Sequence, residues 1–306
     1  MTQTGIPNLK QKPFGGCYSV YDKDLCLVRD ESIRSYKHST TNISTEKYKF
    51  FELYKNWMFS SHPKISGVDK YNFACFTNGT TESFSQYYLR YRENRRLRLA
   101  RGEYFYHQMM KVFYYPNHQF AWLDDDEIRE GDFVLISVPF GDTGNVPDFL
   151  EHMLCECDSK GVPVMLDLAY INLAVDLSID LSHPCIEYVV SSLSKVFPVE
   201  HFRIGIRLQK TMHEDQIYVI NEDLHDYINF LSIKVGCDMM NHFSADWLYN
   251  TYKPKQLEFC SRLNLTPSSC VTLGIDTQNL YSEYSRGGAV NRLCFSRVWD
   301  GRMLET

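Results

Sequence analysis

Lys195 stands in the run Ser192-Leu193-Ser194-Lys195, directly after an apolar stretch, 186–192, that reads as a strand. Open parallel sheets place their ligand crevice just past the end of such a strand, so a primary amine there is available as a nucleophile or proton carrier. Arg203-Ile204-Gly205 follows closely, near enough for a guanidinium and two hydroxyls to gather round one phosphorylated ligand. Upstream, Asp167-Leu168-Ala169-Tyr170 ends a second apolar stretch, 162–168. A carboxylate is costly to bury there without a cationic partner, which a protonated ring nitrogen would supply, and Tyr170 could bond a phenolic oxygen on the same ring. Taken singly, each segment also has a plainer reading: a solvated loop lysine, an aspartate that caps its own loop, a tyrosine that fills the core.

The elements that must hold these residues follow from periodicity. Phe50, Leu53, Tyr54 and Trp57 recur at helical spacing and predict a helix over 45–59. Residues 71–76 read as a strand, Asn78-Gly79-Thr80-Thr81 as a turn, and Glu82 onward as a helix. A nearly continuous apolar strand is expected at 133–138, then a helix opened by Asn145 and Pro147 and closed by Gly161, with Phe149, Leu150, Met153, Leu154 and Cys157 on one face. Further strands are expected at 162–168, 186–192 and 203–208, and a strand-like run at 292–298. Apolar strands alternating with helices predict an α/β fold with a mostly parallel central sheet flanked by helices. The expected organisation is an N-terminal segment, 1–70, packed on a large domain, 71–210, followed by a reduced C-terminal small domain, 211–306.

Composition narrows the function classes. The chain has 306 residues, 44% hydrophobic and 23% charged, which excludes a disordered or collagen-like polymer. With 32 Lys+Arg against 38 Asp+Glu the formal net charge is -6, so the molecule as a whole does not attract nucleic acid or anionic lipid, and no such partner is expected. The arginines at 90, 92, 95, 96, 98 and 101 form a basic run without an aromatic platform, better read as a solvated face or subunit contact. Ten cysteines without Cys-x-x-Cys, and ten histidines without His-x-x-x-His, point to no metal site and to reduced thiols. No apolar run reaches the roughly 18 residues that a bilayer span needs, so no membrane association and a cytoplasmic location are expected.

The order Asp167-x-Ala169-Tyr170, Ser192-x-Ser194-Lys195, Arg203-Ile204-Gly205 resembles the aspartate aminotransferase superfamily, the fold type I pyridoxal phosphate enzymes. The resemblance extends over about 72–208, with a looser match near the C-terminus. It implies pyridoxal 5'-phosphate as cofactor, bound to Lys195 as a Schiff base, with Asp167 on the pyridine nitrogen and Tyr170 on the phenolic oxygen. Ser192, Ser194 and Arg203 are implied to hold the phosphate together with Gly79, Thr80 and Thr81 at a helix start. Gly102-Glu103-Tyr104-Phe105-Tyr106-His107 is similar to the family segment whose aromatic residue stacks on the ring, which implies Tyr104, with His107 behind Asp167.

Asn291-Arg292-Leu293-Cys294-Phe295 resembles the family strand whose arginine clamps the substrate carboxylate, implying Arg292, with Arg286 and Arg297 as rivals. One departure stands out. Pro139-Phe140-Gly141-Asp142-Thr143-Gly144 occupies the place of the family's Asn-Pro-Thr-Gly, so Gly141 replaces an asparagine that bonds the phenolic oxygen. The resemblance implies a homodimer that acts at the α-carbon of an amino acid, with Lys195 as general base, most simply as an aminotransferase. A lyase or cyclase working by β- or γ-elimination or replacement is the second reading, and a non-catalytic cofactor-binding relative the third.

Overall fold

The computed structural model describes residues 9, 12–37, 43–113, 119–223 and 226–301. In chain order the helices are α1 (Lys23–Ser35), α2 (Ile43–Phe59), α3 (Thr80–Tyr91), α4 (Phe105–Phe113), α5 (Leu150–Lys160), α6 (Gln216–Tyr218), α7 (Phe230–His242), α8 (Trp247–Leu263) and α9 (Ser296–Trp299). The strands are β1 (Lys64–Ser66), β2 (Phe73–Asn78), β3 (Arg96–Leu99), β4 (Phe120–Trp122), β5 (Asp132–Ser137), β6 (Val164–Asp167), β7 (Ser178–Asp180), β8 (Ile186–Ser192), β9 (Ile204–Gln209), β10 (Thr266–Pro267), β11 (Leu273–Asp276) and β12 (Asn291–Cys294).

Seven strands form the central sheet in the order β2-β9-β8-β6-β5-β3-β4. Every residue of β5 and β6 is buried, as befits strands covered on both faces. Their side chains alternate between two cores. Val134, Ile136, Val164, Leu166 and Val189 pack with Phe50, Tyr54, Leu150 and Leu154 of α2 and α5. Phe133, Leu135, Met165, Tyr188 and Val190 pack instead with Phe84, Tyr87 and Tyr88 of α3. Each such side chain contributes about 1.5–3 kcal/mol by leaving water, so a one-residue slip of register would exchange the two sets and forfeit both interfaces.

The expected α/β architecture is present, with several local differences. β2 runs two residues later than expected, because it stays paired with β9 through Asn78 opposite Ile204. α3 starts at Thr80, immediately after Gly79, and not at Glu82. The strand expected at 203–208 is β9, and it runs antiparallel to both neighbours, the single reversed strand of this sheet. The strand-like run at 292–298 divides into β12 and the helical turn α9. There Phe295 and Trp299, one turn apart, pack on each other at 5.7 Å and both meet Phe259, at 5.3 and 6.2 Å. A helical spacing of two aromatics thus overrides the apolar continuity of that stretch.

Beyond β9 the chain forms α6 to α8 and a second sheet, β10-β11-β12, antiparallel throughout. α1 and α2 pack on α7, which links the N-terminal segment to the C-terminal part. No helix among the described residues is long and apolar enough to cross a membrane.

Three of the six arginines of the basic run, Arg96, Arg98 and Arg101, pair with aspartates. Arg98, on β3, has no exposed side-chain surface and donates to Asp132 Oδ2 at 2.6 Å and to the carbonyls of Trp122 and Glu127. Arg96 reaches Asp126 and Asp132, both at 2.8 Å, and Arg101 reaches Asp124 and Asp125 on the surface. The cluster fastens β3 to the turn ahead of β5. Arg98→Ala, which leaves Asp132 buried beside a vacancy, should cost about 3–5 kcal/mol in urea unfolding, whereas Arg101→Ala should cost under about 1 kcal/mol.

Candidate active site

Five strand ends converge on one crevice, the last residue of β5, Ser137, lying opposite Asp167. β6 and β8 are parallel neighbours, with Asp167 opposite Val190, so Asp167 and Ser192 emerge on the same edge of the sheet. Because β9 is reversed, its first residues lie opposite the last of β8, Gly205 against Ser192, and this brings Arg203 to that edge. The parallel strand β2 ends there too, at the turn into α3. The crevice is lined by Thr80, Thr81, Tyr104, Ser137, Gly141, Asp167, Ala169, Tyr170, Ser192, Ser194, Lys195 and Arg203. Nine of the cofactor-contacting residues expected from the sequence therefore share one wall, and Gly79 adjoins them.

A polar cradle occupies one end. Arg203 holds a left-handed backbone, φ 57°, and its Nη2 donates to Thr81 Oγ1 at 2.9 Å. Gly79 has φ 72°, and a Cβ there would sit 2.4 Å from Arg203 Nη2, so only glycine lets the guanidinium lie this close to the start of α3. No side chain caps that helix start, which leaves its first N–H groups free for an anion. Ser192 and Ser194 complete the cradle with hydroxyls 2.8 Å apart.

At the other end the charge pattern inverts. Asp167 is buried, 5% exposed, and its carboxyl accepts from Ala169 N at 3.0 Å. Burial pushes its pKa up to about 7, the nearby carboxylate of Glu103 adding to the effect and the Ala169 amide and Lys195 opposing it. Glu103 is itself buried, taking hydrogen bonds from Ser137 N at 2.7 Å and Tyr104 N at 3.0 Å and from the Ser137 hydroxyl. Neither carboxylate has an ion-pair partner among the described residues. The crevice thus joins an anion cradle to a buried acid that lacks a cation.

Lys195 Nζ donates to the carbonyl of Cys17 at 2.7 Å. Arg292, on β12, is buried and donates to the carbonyls of Gly141 and Gly16 and to Tyr170 Oη at 3.2 Å. Arg292 thus meets the crevice through Tyr170 and Gly141. Of its rivals, Arg286 is buried nearby, while Arg297 lies over the Tyr18 ring at 5.1 Å. Expectation fails in two places. His107 makes no hydrogen bond to Asp167, since its Nδ1 pairs with Tyr88 Oη at 2.5 Å and its Nε2 has no partner. The N-terminal segment, to which no site residue was assigned, supplies the Gly16 and Cys17 carbonyls. Main-chain acceptors leave no trace in residue type, whereas Ser137 could have been found as the last residue of a buried strand.

Asp142 does not face solvent. It is buried against Gly102 and Gly288, and burial raises its pKa to about 6 although Arg292 and Arg286 pull the other way. At Gly141 a Cβ would meet Tyr104 N at 3.4 Å and Ser137 Oγ at 3.5 Å, ordinary contacts, so the missing side chain is not forced by crowding at that atom. Away from the crevice, Glu151, Cys155 and His183 bring ligand atoms within 4.8 Å of one another, a grouping across two segments that spacing rules miss. His183 there already pairs with Asp158 at 2.5 Å and Glu151 at 3.2 Å.

The Asp167 shift fixes a sign. A carboxyl protonated more readily folded than unfolded stabilises the fold fully below about pH 4, and that contribution is lost as pH rises toward 7. Asp142 and Glu103 act in the same direction. Urea unfolding of the cofactor-free protein should therefore show stability falling between about pH 4 and 7, and Asp167→Asn should flatten that decline measurably.

No protein-family model and no curated protein matches the sequence. Solved structures do match the fold. Histidinol-phosphate aminotransferase from Clostridium acetobutylicum aligns with a TM-score of 0.62 at 13% identity over 95% of this chain and 98% of that one. The aromatic aminotransferase from Pyrococcus horikoshii OT3 gives 0.63 at 10% identity, covering 97% and 92%. The PLP-bound C-S lyase from Staphylococcus hominis gives 0.61 at 10% identity, covering 86% and 74%. The chain has the α/β fold of the aspartate aminotransferase superfamily, the fold type I pyridoxal phosphate enzymes.

Proposed function

We propose that this protein is a pyridoxal phosphate-dependent enzyme acting at the α-carbon of an amino acid, and specifically an aminotransferase. The observation that carries the reading is the coexistence, in one crevice of this fold, of Lys195, a buried acid without an ion-pair partner, and an anion cradle. The residues fit the cofactor by their own chemistry. Gly79, Thr80, Thr81, Ser192, Ser194 and Arg203 take the phosphate; Asp167 takes the ring nitrogen; Tyr104 offers its ring face, and Tyr170 its hydroxyl.

The cofactor, when bound, supplies an aldehyde carbon and a cationic ring that withdraws electrons from the substrate's α-carbon. Asp167 would hold a proton on the ring nitrogen, and that ion pair would offset the burial that raises its pKa. Lys195 would hold the cofactor through its amine and, as general base, would move a proton away from the substrate's α-carbon. Its bond to the Cys17 carbonyl fixes the direction of the amine. Arg292, steadied by Gly141 and Tyr170, orients the substrate through its α-carboxylate.

Gly141 favours the second reading. A position that offers no side-chain donor leaves Tyr170 as the neutral donor to the phenolic oxygen, and that supports a lyase or cyclase in which electrons are pushed toward a leaving group at the β- or γ-carbon. We also propose a homodimer and a cytoplasmic location. Purified protein should absorb as a lysine-bound pyridoxal species. Borohydride should fix the cofactor to Lys195, Lys195→Ala should abolish that fixation, and Asp167→Ala should lower turnover by at least about a hundredfold. Conversion to the pyridoxamine form in a single turnover marks an aminotransferase, and release of ammonia or a leaving group marks the lyase. A protein that never takes up the cofactor overturns both.

A further inference from the structure

Glu151 and Cys155 stand one turn apart on the exposed face of α5, and His183 lies in the loop between β7 and β8. Glu151 Oε1 is 3.2 Å from His183 Nε2 and 3.8 Å from Cys155 Sγ, and the three ligand atoms all lie within 4.8 Å of one another. A tetrahedral zinc ion, with Zn–N and Zn–O bonds of about 2.1 Å and a Zn–S bond of about 2.3 Å, sets nitrogen and oxygen about 3.4 Å apart and sulfur and oxygen about 3.6 Å apart. Both observed separations that involve Glu151 agree with this to a few tenths of an ångström. A thiol, an imidazole and one carboxylate also form a softer donor set than the all-oxygen shells that magnesium and calcium take.

His183 is held from its far side. Its Nδ1 meets Asp158 Oδ2 at 2.5 Å, and Asp158 Oδ1 accepts from Cys185 N at 2.7 Å, so the carboxylate that orients the ring is itself anchored. A carboxylate behind the imidazole is the usual support of a zinc-bound histidine, because it fixes the tautomer and points the other nitrogen's lone pair outward. A neutral imidazole has a single N–H. With that hydrogen given to Asp158, the Nε2 lone pair faces a Glu151 oxygen, and a cation set between the two turns repulsion into attraction. Access is open: the His183 side chain is 10% exposed, whereas Glu151 is 68% exposed and Cys155 is the single exposed thiol of the ten. The cluster lies at the opposite end of the sheet from the crevice, since His183 precedes β8 and the crevice follows it, roughly 20 Å along that strand.

We propose that Glu151, Cys155 and His183 bind one zinc ion, with solvent in the fourth position, and that the ion fastens α5 to the loop entering β8. The spacing rules that predicted no metal site look for ligands close in sequence, and these come from two segments. As the ion enters, the Cys155 thiol gives its proton to water and the thiolate forms the Zn–S bond; no electron is transferred. The site is separate from the amino-acid chemistry proposed above and does not depend on it.

The purified protein, stripped with EDTA and desalted, tests this in thermal unfolding with zinc chloride or magnesium chloride. Zinc should raise the Tm and bind at one ion per chain in calorimetric titration, and magnesium at the same concentration should leave the Tm unchanged. Cys155→Ser, a surface change that spares the fold, should weaken zinc binding at least about tenfold, while Cys26→Ser, which alters a half-buried thiol elsewhere, should not. Cobalt(II) serves as a coloured stand-in. Read as a difference spectrum, it should give intense tetrahedral bands in the visible and a thiolate-to-metal band, and Cys155→Ser should lose the latter. Equal effects of zinc and magnesium, wild-type zinc affinity in Cys155→Ser, or a cobalt spectrum without the thiolate band overturn the proposal.

Discussion

A carboxyl group held in an apolar wall without a cation is the constraint round which this molecule is arranged. Asp167 closes a strand buried on both faces, where water cannot solvate it and Glu103 adds a second negative group. The protein-side compensation is small, one main-chain N–H and a lysine at a distance. Such a group is stable as the neutral acid or beside a positive ligand. A flat cationic heterocycle is the kind of ligand that fits between this acid and an anion cradle.

The sheet topology explains how so many chain-distant residues reach one place. Parallel strands deliver their carboxyl ends to a common edge, which accounts for Asp167, Ser137 and Ser192. Arg203 belongs to the beginning of a strand and arrives only because β9 is reversed. The same reversal sets Gly205 against Gly79, where a Cβ would stand 2.9 Å from Gly79 Cα, so the close approach depends on glycines in both elements. The cradle is therefore a product of strand direction as much as of residue type.

Much of this was legible in the sequence because it rests on side-chain type near strand ends. The strand 186–192 matches β8 residue for residue, and the helix closed by Gly161 ends there with φ 60°. What was not legible depends on partners far along the chain. The direction of β9 is invisible in an apolar run, since parallel and antiparallel burial look alike. The surroundings of Asp142 were equally hidden, since a loop 146 positions later, at Gly288, covers it. His107 was placed by analogy behind Asp167, and its partner is a tyrosine of α3 that only tertiary packing reveals.

Gly16 and Cys17 lend their carbonyls to Arg292 and Lys195 across 276 and 178 positions. The Cys17 carbonyl can aim the amine as soon as β8 and its following turn have formed, whereas the clamp is complete only when the turn at Gly16 meets β12 of the second sheet.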